Sequence, residues 1–61
     1  MPWNKKNYPA SMKNLSEEVR DKAVEIANAL LAENMEESKA IAIATSKAEE
    51  WAKNRNIKIK D

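Results

Sequence analysis

From residue 16 onward the apolar positions repeat at helical spacing. Val19, Ala23, Ile26, Ala27 and Leu30 follow one another at intervals of four, three, one and three. That is one face of a helix, widened by Val24 and Leu31, with Asp21 and Glu25 on the polar side. Ser16 stands where an N-cap belongs, and Glu17 and Glu18 follow in the first turn, where the helix dipole favours anions. In a chain with no Gly, Asn34 is the natural stop, because Asn tolerates the left-handed backbone that ends a helix. The pattern predicts a helix over about 16–33.

A second stripe begins after Met35. Ala40, Ile41, Ala44, Ala48, Trp51 and Ala52 share a face, with Ile43 at its margin, and predict a helix over about 36–54. Four of those six residues are Ala, and small side chains let two helix axes approach at the short end of the usual range of about 8–10 Å. A turn this short forces the helices antiparallel. The expected architecture is all-α: a two-helix hairpin packed through alanines, an N-terminal arm over 1–14 laid across it, and a short tail over 55–61. The whole chain, 1–61, reads as a single small domain.

An alanine-faced hairpin has little apolar area to bury. The arm holds Trp3, Tyr8, Met12 and Leu15, and an aromatic side chain contributes about 150–250 Å². The arm is therefore expected to fold back as a third layer, and Pro9 through Leu15 has the makings of a short third helix with Pro in its first turn. The expected core is Trp3, Tyr8, Leu15, Ile26, Leu30, Ile41, Ala44, Ala48 and Trp51, with Trp3 buried in the monomer. A monomer is the expected state; a homodimer joined through the alanine faces is the alternative. In the tail, Ile57 and Ile59 alternate with Lys58 and Lys60. That is the period of a strand, over four residues only, and is compatible with a short edge strand or a loose tail.

Composition sharpens this picture mostly by exclusion. The 61 residues contain no Cys and no His, which removes disulfides, the usual structural zinc sites and the common nucleophile–base pairs. The absence of Cys fits a reducing compartment, and a cytoplasmic location is expected. Glu17/Glu18, Glu36/Glu37 and Glu49/Glu50 are neighbours in sequence, and successive helical residues point about 100° apart, so these pairs do not converge on one cation. No Gly-rich loop is present to cradle a phosphate. The expectation is therefore a non-enzyme without metal or cofactor. The longest apolar stretch, Ala27 to Ala32, is interrupted by Asn28 and is far shorter than the ~20 residues of a membrane span.

Net charge is +1, but unevenly spread: +3 over residues 1–14, −5 over 15–38 and +3 over 39–61. The basic tail residues Lys53, Arg55, Lys58 and Lys60 are the candidate interaction residues. They could touch phosphates, or simply complement a helix C-terminus and keep the chain soluble. A helix-turn-helix reading would use Lys39, Thr45, Ser46, Lys47 and Lys53, but Glu36, Glu37, Glu49 and Glu50 on the same helix would repel phosphate. The residues thus favour a small cytosolic module that works by contact with a protein partner. The rival is a weak nucleic-acid binder using the basic residues of both ends.

Several runs are also familiar. Met1-Pro2-Trp3, Tyr8-Pro9-Ala10-Ser11-Met12-Lys13-Asn14-Leu15, Val19-Arg20-Asp21-Lys22-Ala23, Ile26 through Leu31, and Ala40 through Ala48 followed by Trp51 resemble the YdaT-like bacterial proteins of unknown function. The likeness covers nearly the whole chain and implies longer relatives with a further C-terminal domain. A fainter likeness, carried by Pro9, Ser11, Ala27-Asn28, Glu36-Glu37-Ser38 and Glu50-Trp51-Ala52-Lys53, is to the ChaB-like proteins, named as putative cation transport regulators. It implies an interaction role. Neither resemblance supplies site residues.

Overall fold

A computed structural model describes residues 3–60 of the chain. Two helices make the frame: α1 (Glu17–Ala32) and α2 (Glu37–Asn54) pack against each other as an antiparallel hairpin. The described residues measure 31 × 22 × 15 Å along their principal axes.

The hairpin closes through alanines. Ala40, Ala44, Ala48 and Ala52 have no exposed surface, and on α1 neither do Val19, Ala23 and Ala27. Each set recurs every four residues, so each forms one of the i±4 ridges by which helices interdigitate. Small ridge residues keep the two backbones close and leave no room for larger side chains between them.

Both helices stop in the same way. Asn34 takes φ 67°, and the N–H groups of Asn34 and Met35 donate to the carbonyls of Leu31 (2.9 Å) and Leu30 (3.2 Å). At the end of α2, Asn56 takes φ 56°, and Asn56 and Ile57 donate to Lys53 (3.3 Å) and Ala52 (2.9 Å). These are two Schellman closures, each with an asparagine in the position that glycine usually fills. The first was legible from Asn34; the second, at Asn56, is an addition.

The arm folds back, as its apolar residues require, but without a regular third helix. Pro9 leads into a single 3₁₀ turn, Ala10–Met12. Met12 has no exposed surface, Leu15 is 3% exposed, and Trp3 and Tyr8 pack partly buried against the same core. The arm's anchor is thus Met12, which is wholly enclosed, and not Trp3, which is half-buried.

The anticipated core divides into inner and outer parts. Leu15, Ala44 and Ala48 are buried. Trp3, Tyr8, Ile26, Ile41 and Trp51 are half-buried around the rim, and Leu30 is half-buried as well. The correction follows from the alanine ridges: once the helices are that close, large side chains must lie beside the seam rather than within it. Met12 and Val19 are the largest side chains wholly enclosed.

The tail is neither a strand nor loose. Residues Leu15 and Lys60 form one isolated antiparallel bridge, and Ile57 and Ile59 lie partly buried on the core. Ser16 holds this junction. Its N–H donates to the Ile59 carbonyl (2.8 Å), and its hydroxyl donates to the Lys58 carbonyl (2.6 Å). Ser16 occupies the N-cap position of α1, yet its side chain makes no cap bond to its own helix. The expected cap is instead a fastener for the opposite end of the chain.

Candidate functional site

The four basic tail residues are all exposed, and the fold explains where each points. Lys53 lies in the last turn of α2 and Arg55 closes it. Both therefore stand at the negative end of the helix dipole. Arg55 also turns its guanidinium over the Trp51 ring, 5.3 Å from the centroid. Lys58 and Lys60 project outward because Ile57 and Ile59 turn inward, so the alternation seen in the sequence records the docking of the tail.

Folding adds one residue to this basic end. Lys13 is exposed in the arm two positions before Leu15, which pairs with Lys60. The cluster is tempered by Glu17 and Glu18, exposed in the first turn of α1 at the same end of the hairpin. Lys5 does not join it: its ammonium lies 3.6 Å from the Asp21 carboxylate. At the other end of the hairpin, exposed Glu33, Glu36 and Glu37 surround the turn between the helices. The molecule thus carries opposite charge at its two ends.

Trp51 sits on the rim between two cations. Lys22 approaches its ring to 5.5 Å and Arg55 to 5.3 Å, while Lys22 also bonds Glu25 at 3.1 Å. An open hollow of about 320 Å³ is lined by Glu18, Asp21, Lys22, Glu25 and Trp51. A second, of about 280 Å³, lies where Trp3, Asn4 and Lys5 of the arm meet Asp21, Val24, Glu25 and Asn28 of α1. The two share Asp21 and Glu25, so they adjoin along the outer side of α1 with a tryptophan at each.

The polar groups that fix the arm were not anticipated. Asn28 is 6% exposed, within the buried face of α1. Its carboxamide accepts from the Trp3 N–H (3.3 Å) and donates to the Trp3 carbonyl (3.0 Å). A buried amide is costly unless bonded, and here the arm's backbone supplies both partners. Arg20 makes a second fastening. Its guanidinium bonds the Leu15 carbonyl at 3.1 Å and stacks 4.7 Å from the Tyr8 ring centroid, while its Nε is buried without an acceptor. One signal for Asn28 was available: it falls four residues after Val24 and directly after Ala27, on the apolar side of α1.

Nothing in this arrangement points to catalysis. Among the described residues no three acidic side chains gather as a metal site, and no helix is long and apolar enough to cross a membrane. Thr45 returns its hydroxyl to the Ile41 carbonyl at 2.8 Å, a bond within its own helix.

Comparison with known proteins agrees with the resemblance read from the residues. No family model matches the chain, and no solved structure does. The ChaB-like likeness gains no support from these comparisons. Over 54 residues, 88% of its length, the chain is 63% identical to a protein of Bacillus subtilis (strain 168) described as "Uncharacterized protein YdaT". It spans 36% of that relative's length. The similarity shows that this chain is a YdaT-like protein.

Proposed function

We propose that the chain is a non-catalytic interaction module, working in the cytoplasm by contact with a protein partner. One observation carries this reading: both tryptophans and two isoleucines lie on the rim of the helix seam and not within it. Ala fills the helix seam, while Trp3, Ile26, Ile41 and Trp51 remain partly exposed around it. Tryptophan is among the residues enriched at the energetic centres of protein–protein contacts. The domain count of one and the monomeric state belong to the same proposal, since the arm and the tail both fasten to α1 within one chain.

Photo-crosslinking in the source cell tests it. A photoreactive residue at Ile43, which is half-exposed on α2, should give one discrete protein adduct. The same group at exposed Glu33 in the turn should give none. Diffuse or absent adducts from both positions would remove the reading.

The nucleic-acid alternative has one observation in its favour, the gathering of Lys13 with Lys53, Arg55, Lys58 and Lys60 at one end. Binding through those residues would weaken steeply with salt, with a slope of log K on log[salt] set by the number of phosphates neutralised. Titration with duplex and single-stranded DNA from low to physiological salt separates the two. A specific, salt-dependent complex supports the alternative, and the absence of binding at low salt eliminates it.

A further inference from the structure

The outer side of α1 carries a row of acids beside an aromatic wall. Glu18, Asp21 and Glu25 follow one another at intervals of three and four, so they share one face of the helix. Trp51 of α2 lies against that row, and these four residues together with Lys22 bound the open hollow of about 320 Å³. Three carboxylates and one ammonium leave its lining at net −2.

The chain's own cations use only part of this capacity. Lys22 bonds Glu25 at 3.1 Å, with its nitrogen 5.5 Å from the Trp51 ring centroid. Lys5 lies 3.6 Å from Asp21 through a side chain that is 77% exposed, and an ion pair of that kind is weak and readily exchanged. Glu18 has no hydrogen bond or ion pair among the described residues. The rings of the molecule also show which cations they accept. Arg20 lies 4.7 Å from the Tyr8 centroid and Arg55 5.3 Å from that of Trp51. A guanidinium stacks flat on a ring while its edge donates forked bonds to carboxylates, a combination that a compact ammonium does not offer.

We propose that the hollow beside Trp51 seats an arginine side chain of a protein partner, its guanidinium against the indole and its N–H groups turned to Glu18 and Asp21. Charge complementarity selects that occupant, because a lining of net −2 with an aromatic wall repels phosphates and acidic segments. The inference rests on the protein-partner reading and adds the chemistry of the contact. Ile43, Lys47 and Trp51 recur every four residues along α2, so the seat continues the side on which Ile43 is half-exposed. Arginine is itself among the residues enriched at the energetic centres of such contacts.

Titration of the full chain with acetyl-Gly-Arg-Gly-amide, followed by NMR at the Trp51 indole N–H, tests the seat. One stacked guanidinium with a charge-assisted bond supports a saturable shift with a Kd of about 1–10 mM. The same peptide with neutral citrulline should bind at least about four-fold more weakly, since one unit charge at about 5 Å in water carries that factor. Glu18→Gln, at an exposed position, should weaken the arginine peptide by about the same factor, and Lys22→Gln should strengthen it by about as much. Glu36→Gln, exposed at the far end of the hairpin, should change nothing. Equal binding of the citrulline or a lysyl peptide would overturn the proposal. So would an affinity unaltered by Glu18→Gln, or no saturable shift up to about 50 mM. A failed titration beside a discrete Ile43 adduct strikes the arginine seat and leaves the partner reading standing.

Discussion

Replacing Met12 with Ala should largely unfold the protein. Met12 comes from an arm with only one 3₁₀ turn of its own, yet it has no exposed surface and shares the core with Val19 and the alanines of both helices. Truncating a buried Met removes its transfer free energy and leaves a cavity, together about 2–5 kcal/mol. A domain of this size has about 3–5 kcal/mol in all. Unfolding entropy near 2.1 cal/mol/K per residue gives about 130 cal/mol/K for 61 residues, so each kcal/mol moves Tm by about 8 °C. The expected fall is therefore at least about 15 °C by far-ultraviolet circular dichroism. Met12→Leu, which nearly conserves volume, should cost less than about 1.5 kcal/mol. A Met12→Ala melt within 3 °C of the unaltered protein, on this same conversion, would refute the claim that the arm is part of the core.

Other substitutions probe the remaining contacts. Ala44→Leu inserts bulk into a helix seam with no exposed surface and should cost about 1–3 kcal/mol, whereas Ala42→Leu on the exposed side of α2 should leave the melt nearly unchanged. Equal effects at the two positions would argue against close alanine packing. At Asn34, whose φ is 67°, Val should destabilise by about 1–2 kcal/mol while Gly is tolerated, since only the branched residue suffers in the left-handed region. Chemical denaturation compares them, and a Val variant as stable as the Gly variant would exclude this turn geometry. Ser16→Ala removes the hydroxyl bond to Lys58 and should lower stability by about 1 kcal/mol. It should also speed exchange of the residue-16 amide, whose N–H donates to the Ile59 carbonyl, and unchanged exchange there would show that the tail is held by other means.

The two helices and their alanine faces were legible because they are periodic. The sequence stripes predicted helices over 16–33 and 36–54, and the helices run over 17–32 and 37–54. Asn34 was legible as a stop because backbone tolerance is a local property of the residue. What escaped was long-range and polar. Asn28 reaches an arm residue 25 positions away, and Ser16 reaches a carbonyl 42 positions away. Neither partner is marked by spacing or by residue type, since both are backbone groups. The placement of Trp3, Trp51, Ile26 and Ile41 on the rim was hidden for a related reason. Periodicity identifies the apolar side of a helix, but the depth of each residue depends on how closely the partner helix approaches. Of the candidate interaction residues, Lys53, Arg55, Lys58 and Lys60 were legible as basic. Only the folded chain brings Lys13 to the same end.

The central claim is that the alanine-faced hairpin is completed by its arm and does not stand without it. The most direct measurement is the thermal melt of a chain lacking residues 1–12, followed by circular dichroism and checked for oligomeric state by sedimentation. Removal takes away Met12, the Asn28–Trp3 pairing and the Tyr8 stack on Arg20 together. The account predicts a monomer with weak helical signal and no cooperative transition. A truncated monomer that stays helical and melts cooperatively near the temperature of the full chain would contradict it.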